Sequence, residues 1–399
     1  MMTQAASSRI YRFQQKISPS SSAETETPHA VVQCYTLRGL TLEEVEEWTR
    51  FCASVFATKR PSPPPASYFA RHFHNDPDHD ASLIRVAMIE GGGGGDDNDD
   101  DDGKNSTRHP TMVASCRVFR RTISAGSSSS GTSSFFAGGI GEVCTSAPHR
   151  RRGIAGELLH DAMGVARAEN CTVSLLHAAP AFVAVYAKAG FHQSVSRWNQ
   201  ITIHVQKLLL VGAATAVRMA SFPTDTKEMM AIHQLFSEQR FAGCIIRSEE
   251  YWNKYISKEL EGSLFVREDK GTEIEGWMSV RHRGEDRFQL REFGCRSVDL
   301  VPLVFLELIH HIIGRSSLLL DNTTTTSSSS KTNMMHTIQL SLPSVVYEEA
   351  ELAKAEWVME VSEDNDHGWM YRRLGNDGSL PPAFIQQGNI HLIWPSDSF

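Results

Sequence analysis

The sequence lacks most of the features that mark a secreted, membrane-spanning or nucleic-acid-coating protein. It has no Cys-x-x-Cys pair, and its seven cysteines (Cys34, Cys52, Cys116, Cys144, Cys171, Cys244 and Cys295) are odd in number and widely spaced. That argues against a disulfide framework or a zinc cage and reads as reduced, mostly buried thiols of an intracellular protein. No apolar run reaches the roughly 18 residues of a membrane-crossing helix. The best candidate, 298–313, is interrupted by Asp299, Pro302, Glu307, His310 and His311. Positive charge is in deficit: 39 Lys and Arg stand against 47 Asp and Glu, a net −8. Six of those negative charges, Asp96, Asp97 and Asp99 to Asp102, lie in one tract, leaving about −2 for the rest. A binder driven by bulk attraction to nucleic-acid phosphates is thereby excluded. The first 30 residues have no apolar signal segment, and no acid occurs before Glu24. With Arg9, Arg12, Lys16 and clustered serines they bear a weak likeness to an organelle transit peptide. The expectation is a disordered cytosolic tail, with organellar import as the alternative. No Gly-x-Ser-x-Gly elbow is present, so Ser174 and the histidines compose no Ser-His-Asp triad.

What is present suggests two domains, since 399 residues at roughly 100–200 per domain leave ample material for two cores. Three low-complexity stretches, 91–103, 124–134 and 323–330, are too poor in apolar residues to offset their ordering entropy. The expected organisation is a disordered tail over 1–29, a domain over 30–206 with disordered loops 91–109 and 124–134, and a second α+β domain over 207–399 with a disordered loop 321–333. In the first domain, strands are expected at 31–37, 83–89, 111–119, 135–144, 172–177 and 201–205. Helices are expected at 41–56, 151–170 and 181–189, the first opened by a Thr41/Glu44 capping box and the last stopped by Gly190. This is a mixed-sheet α/β (α+β) fold, not a doubly wound nucleotide fold. Downstream, three strands (264–267, 274–281, 289–294), a buried helix (298–313) and a further strand (337–342) repeat the order of the first domain. A degenerate structural repeat is the expectation.

The chemistry concentrates in residues 138–191. A strand ends, a turn with Pro148 follows, and a helix opens at Arg150-Arg151-Arg152-Gly153-Ile154-Ala155-Gly156. The first turn of a helix leaves N–H groups unpaired, and its dipole favours negative charge. Gly153, Ala155 and Gly156 allow an anion to approach the backbone, and three arginines add forked donors. Arginine at a helix start otherwise opposes the dipole, which suggests an anionic ligand; a solvated basic turn is the alternative. A strand and then Tyr186-Ala187-Lys188-Ala189-Gly190-Phe191 follow.

Together these segments resemble the GCN5-related N-acetyltransferase superfamily over roughly residues 30–205. Arg150-x-x-Gly153-x-Ala155 resembles its acyl-CoA diphosphate motif, and 186–191 its Tyr-x-x-x-Gly-Phe element. Where many members carry Asn before the tyrosine helix, this chain has Pro180-Ala181-Phe182. The Gly-Ile-Gly-x-Val run and the arginine turn are similar to bacterial enhanced-intracellular-survival acetyltransferases, which carry a second, degenerate acetyltransferase-like domain. The 366–372 segment and the Trp394-to-Phe399 ending look more like fungal lysine N6-acetyltransferases.

The resemblance implies acetyl-CoA as co-substrate, no metal, and acetyl transfer to a primary amine, either a small amine such as lysine or a lysine side chain. It implies that the backbone of Val143, Cys144 and Thr145 pairs with the pantetheine arm, that Arg150, Arg151, Arg152, Gly153, Ile154, Ala155 and Gly156 hold the diphosphate, and that Tyr186 is the general acid. Tyr186 could instead be a core aromatic. Three groups are candidates for the base: Glu142 through a water chain, His177 at a strand end, and the α-carboxylate of Phe399, as in the survival-type relatives. The His/Asp-rich stretch 72–80 is expected to be a solvated loop. The expected partner is the small amine or lysine-containing substrate, with neither nucleic acid nor membrane; the sequence does not bear on oligomeric state. A non-catalytic acyl-CoA-binding or partner-binding protein on the same fold is the competing reading. The joint presence of the arginine turn and Tyr186 favours the enzyme.

Overall fold

The computed structural model describes residues 8–16, 30–57, 63–90, 110–128, 131–211, 216–269, 273–284, 286–322, 337–375, 394, 395 and 397. The first half runs β1 (Arg9–Lys16), β2 (Ala30–Gly39), α1 (Val45–Ala57), α2 (Ala66–His74), β3 (Ile84–Ile89), β4 (Thr111–Ser128), β5 (Gly131–Thr145), α3 (Ile154–Ala168), β6 (Val173–His177), α4 (Val183–Lys188), β7 (His192–Gln193) and β8 (Trp198–His204). The second runs α5 (Val205–Leu210), β9 (Val217–Met219), α6 (Thr226–His233), β10 (Ala242–Ile245), α7 (Ser257–Glu259), β11 (Leu264–Glu268), β12 (Ile274–His282), β13 (Arg287–Cys295), α8 (Val301–Asn322), β14 (Thr337–Pro343), α9 (Ser344–Glu349), β15 (Val358–Glu363) and β16 (Trp369–Arg373).

Local chemistry sets the helices. The Glu44 carboxylate takes the Thr41 N–H at 3.0 Å, closing the expected capping box ahead of α1. Val45, Trp48, Thr49, Cys52 and Val55 recur on one face of α1 and are buried. In α3 the buried stripe is Ile154, Leu158, Leu159, Ala162, Met163 and Ala166. Val301, Val304, Phe305, Leu308 and Ile309 do the same for α8.

Among the described residues there are two sheets. One is ordered β1-β2-β3-β4-β5-β6-β16-β7, with β10 beside the far end of β4; the other is β15-β8-β14-β13-β12-β11-β9. In each, an antiparallel run meets the rest through a single parallel pair, β5 with β6 and β13 with β14. A long helix, α3 or α8, makes each crossover. The expected structural repeat is therefore present, and the fold is a mixed α/β architecture of two halves of like topology. No helix of the described residues is long and apolar enough to cross a membrane.

Four expectations need revision. First, β8 was expected to close the first sheet, but it pairs with β14 and β15 in the second. In exchange, β16 lies between β6 and β7 in the first. A cut at 206 therefore does not separate the two sheets. The reason is that β6 is buried at four of its five positions and needs a partner on its second edge; β16, with Met370 buried, supplies it. Second, residues 9–16 form a strand paired in register from Arg9↔Leu37 to Lys16↔Ala30, where a disordered tail was expected. Tyr11 and Phe13 pack on the core and hold it. Third, 124–128 and 131–134 are strand rather than loop, because β10 and the body of the second half flank the end of β4. Ser124 is buried there, and its hydroxyl donates to the Glu238 carbonyl. Fourth, α2 extends through His74, and both His72 and Asp76 are buried, so 72–80 is a solvated loop only in part, at the exposed Asp78, His79 and Asp80. The expected loop 91–109 and residues 323–333 lie outside the described residues.

Candidate active site

The site begins where β5 and β6 part. They pair in parallel only at Ala137↔Val173, Gly138↔Ser174 and Gly139↔Leu175. Beyond Gly139, β5 continues to Thr145 on its antiparallel partner β4. A bulge interrupts that ladder between Ser115↔Cys144 and Arg117↔Gly141. Glu142 and Val143 thus oppose the single residue Cys116, and Glu142 takes φ +54°, a left-handed conformation unusual for a non-glycine. The bulge re-aims this stretch, and the divergence leaves one backbone edge of β5 facing a cavity of about 1430 Å³.

The cavity gathers most of the expected residues. Glu142, Val143, Cys144 and Thr145 line it from β5, and Arg150, Arg151, Gly153, Ala155 and Gly156 from the turn and the start of α3. Tyr186 lines it from α4, which ends where Gly190 adopts φ +81°. Gly153 caps α3 at φ +79°, so the first-turn N–H groups of the helix are presented beside Arg150 and Arg151. Arg150 donates to the Thr145 carbonyl at 3.0 Å, tying the turn to the end of β5.

Two expected residues turn elsewhere. Arg152 donates to Gln33 and, at 3.0 Å, to Tyr35 on β2, with its guanidinium over the Phe13 ring. Ile154 is buried in the core under α3. Both side chains serve packing because β1 and β2 cover that flank of the turn. Phe399 lies outside the described residues.

Electrostatics separate the two titratable candidates. Glu142 is nearly buried, and burial pushes its carboxyl up to about 7; Arg117 works against that rise and Asp76 with it. Tyr186 is pushed up to about 12 by burial and by nearby Cys116, so it stays a protonated donor at neutral pH. Its ring meets Phe191 edge-on at 6.2 Å. Cys144 and Cys52 stand with their sulfurs 3.9 Å apart, both buried as free thiols.

Sequence reasoning missed an ionic cluster behind Glu142. Asp76 accepts from Arg117 at 3.1 Å and from Arg121 at 3.1 and 2.9 Å, and all three are buried. The signal was the alternation in β4: Arg117, Phe119 and Arg121 share one face of a strand buried over most of its length, so two charges point inward.

Also missed was a junction with a second cavity of about 820 Å³, walled by both halves and including Arg281, Asp364, Asp366, Trp394 and Asp397. His177, at the end of β6, lines both cavities. Its Nε2 lies 2.9 Å from Asp366 Oδ2, and its ring meets Trp369 edge-on. Burial raises the Asp366 carboxyl, but the contact with His177 outweighs it and holds the group below its ordinary value. The corresponding turn of the second half, ahead of α8, carries Ser297, Val298 and Asp299 with no glycine. An acid at that helix start repels a diphosphate, so the anion-binding features lie in the first half. Among the described residues, no group of three or more His, Cys, Asp or Glu side chains is arranged to hold a metal ion.

Comparison with known proteins gives a consistent assignment. Residues 103–194 match the family profile described as Acetyltransferase (GNAT) domain. No curated protein sequence matches the chain. A GCN5-related N-acetyltransferase from Anabaena variabilis superposes with TM-score 0.56 at 12% identity, covering 86% of this chain and 73% of that one. Eis1 from Mycobacterium abscessus gives 0.50 at 11%, with 85% and 73% covered. Saccharomyces cerevisiae N-myristoyltransferase, solved with bound myristoyl-CoA, gives 0.50 at 11%, with 90% and 88% covered. At these identities the likeness is one of fold.

Proposed function

We propose, from the match of residues 103–194 to the GNAT acetyltransferase domain profile, that the chain is an acetyl-CoA-dependent N-acetyltransferase acting on a primary amine, either free lysine or a lysine side chain. One observation carries the reading: a single cavity joins an open strand edge, a glycine-arginine helix start, a tyrosine protonated at neutral pH and a carboxyl poised near neutrality. The donor supplies an acyl group on a thioester, and the residues present fit it. The α3 first-turn N–H groups with Arg150 and Arg151 suit a diphosphate. The free edge of Val143 to Thr145 suits the amide-bearing arm.

The acceptor enters from the second cavity, whose wall meets the first at His177. An ammonium must lose a proton before it can attack, since a lysine side chain titrates near 10.4. Glu142, ionised above about pH 7, takes that proton through water. Tyr186 gives its phenolic proton to the departing sulfur, and the proton taken up by Glu142 passes back to the phenolate through water, so both groups return to their starting states. The α-carboxylate of Phe399 is the competing base. Buried Asp397 and Trp394 line the second cavity two and five residues before it, Asp397 held by Arg247 at 2.8 Å.

The test is release of free thiol from acetyl-CoA with a panel of primary amines, including lysine and a lysine-bearing peptide. Amine-dependent release that Tyr186→Phe abolishes supports the reading. Saturable acetyl-CoA binding without release for any amine favours the binding-protein alternative.

A further inference from the structure

Asp76, Arg117 and Arg121 line neither cavity, yet they hold three charges in the core beside the candidate base. Asp76 follows the C-terminal end of α2. Besides the two arginines it accepts the Asp78 N–H at 3.1 Å. Burial would raise its carboxyl, but Arg121 and Arg117 outweigh that and hold it below its ordinary value, so it is ionised at neutral pH. The Arg117 guanidinium is committed on one side to Asp76, at Nη2. On the other side its Nη1 lies 3.7 Å from Glu142 Oε2, an ion pair longer than a hydrogen bond, and neither atom has a hydrogen-bond partner among the described residues. Phe119 stacks under the same guanidinium at 4.1 Å and restrains it further. A buried carboxylate and a buried guanidinium that close on each other gain a charge-assisted bond; here that closure is withheld.

We propose that Asp76 is a positioning residue for Glu142: by clamping Arg117 and Arg121 it keeps the Arg117 guanidinium beside the Glu142 carboxyl but short of bonding it. The consequence is a carboxyl that can both release and accept a proton near neutrality. If Arg117 were free to bond it, Glu142 would be a fixed anion and a weak base. The groups facing Glu142 are Arg117 and Cys116 on β4, Asp76 beyond α2 and Cys52 on α1. The two thiols are raised by burial and stay neutral, so the arginine and the aspartate set the balance. This inference rests on the reading of Glu142 as base, and its test separates the two.

The probe is the Glu142 carboxyl resonance in protein labelled with carbon-13 at glutamate carboxyls, assigned by its loss in Glu142→Gln, titrated with pH in the unliganded full chain. In Asp76→Asn the negative charge disappears and Arg117 closes on Glu142, so the midpoint should fall by about 1 pH unit or more. In Arg121→Gln, Asp76 keeps its charge with one fewer cation against it, and the midpoint should rise. A merely structural Asp76 would lower the melting temperature and leave both midpoints in place. An unchanged midpoint in folded Asp76→Asn overturns the proposal; if that variant does not fold, an unchanged midpoint in Arg121→Gln does so. The acid limb of kcat/KM then tests the base reading by itself. If the resonance midpoint moves while the limb stays, Asp76 positions Glu142 but Glu142 is not the base.

Discussion

Replacing Gly156 by valine separates ligand binding from folding more cleanly than any other change in the arginine turn. Gly156 is the third residue of α3, exposed, and part of the cavity wall. A Cβ built there meets no atom within 4 Å. Valine also has the higher helix propensity, so stability should hold or rise by a few tenths of a kcal/mol. The side chain would project into the space over the first-turn N–H groups, where the diphosphate is expected. Losing one charge-assisted contact costs about 1.5–3 kcal/mol. At about 1.4 kcal/mol per factor of ten, the Kd for acetyl-CoA should rise roughly 10- to 100-fold. Calorimetric titration with acetyl-CoA measures this, and a thermal melt run alongside confirms the fold. An unchanged Kd with an unchanged melt refutes the placement of the diphosphate. Gly153 gives a less direct answer. It sits at φ +79°, and a Cβ there would come within 2.9 Å of the Tyr11 hydroxyl, which itself donates to the Arg152 carbonyl. A side chain at 153 would strain the backbone and displace β1 as well as obstruct a ligand.

Further outcomes follow from the same geometry. Tyr186→Phe should lower kcat by roughly 10²- to 10⁴-fold while leaving the Kd for acetyl-CoA within a factor of about two, read by stopped-assay kinetics and titration; full activity would reduce Tyr186 to packing. Because Glu142 must be ionised to accept a proton and its carboxyl is pushed up to about 7, kcat/KM should fall as pH drops through that value. Glu142→Gln should lose that limb together with most of the rate. No alkaline limb from Tyr186 is expected below about pH 11, since its phenol is pushed up to about 12. Appending three glycines after Phe399 moves the terminal carboxylate without touching the described fold; wild-type turnover in the extended chain would remove Phe399 as a base, and a large loss would favour it over Glu142.

The parts of the site legible in the sequence were those whose chemistry is local. Gly153 and Gly156 stand out because small residues at a helix start next to arginines are costly without a ligand, and Tyr186 because Gly190 and Phe191 close its helix in a recognisable pattern. The strand between them, β6, was equally readable from its β-branched and apolar run. What stayed hidden depends on contacts distant in sequence. Asp76 lay in a polar stretch that composition alone reads as solvent-facing, and only Arg117 and Arg121, more than forty residues on, bury it. The bulge at Glu142 has no glycine to announce it; it exists because β5 has one residue more than β4 between two fixed pairs. His177 was visible as a strand-end histidine, but its partner Asp366 arrives from 189 positions away on the segment leading into an exchanged strand.

That exchange gives the second half a structural part in the first sheet, although its own helix start carries an acid and no glycine. In the first sheet β6 faces β5 only over three residue pairs before the two strands part, and the parted region is the cavity. A strand splayed on one edge needs a firm partner on the other, and β16 provides it over all five residues of β6, from Trp369↔His177 to Arg373↔Val173. The reciprocal loan of β8 to the second sheet, seven pairs with β14 and five with β15, fixes the halves against each other. The contacts between Ser124 and Glu238 and between Arg121 and the Tyr251 ring add to that lock at the far end of β4. The opening between β5 and β6 is therefore held by the second half's strand, and the second cavity is bounded by its β12–β13 residues Arg281 and Gln289. In this arrangement the second half contributes the rigid edge and one wall of the second cavity, while the first half contributes the arginine turn, Glu142 and Tyr186.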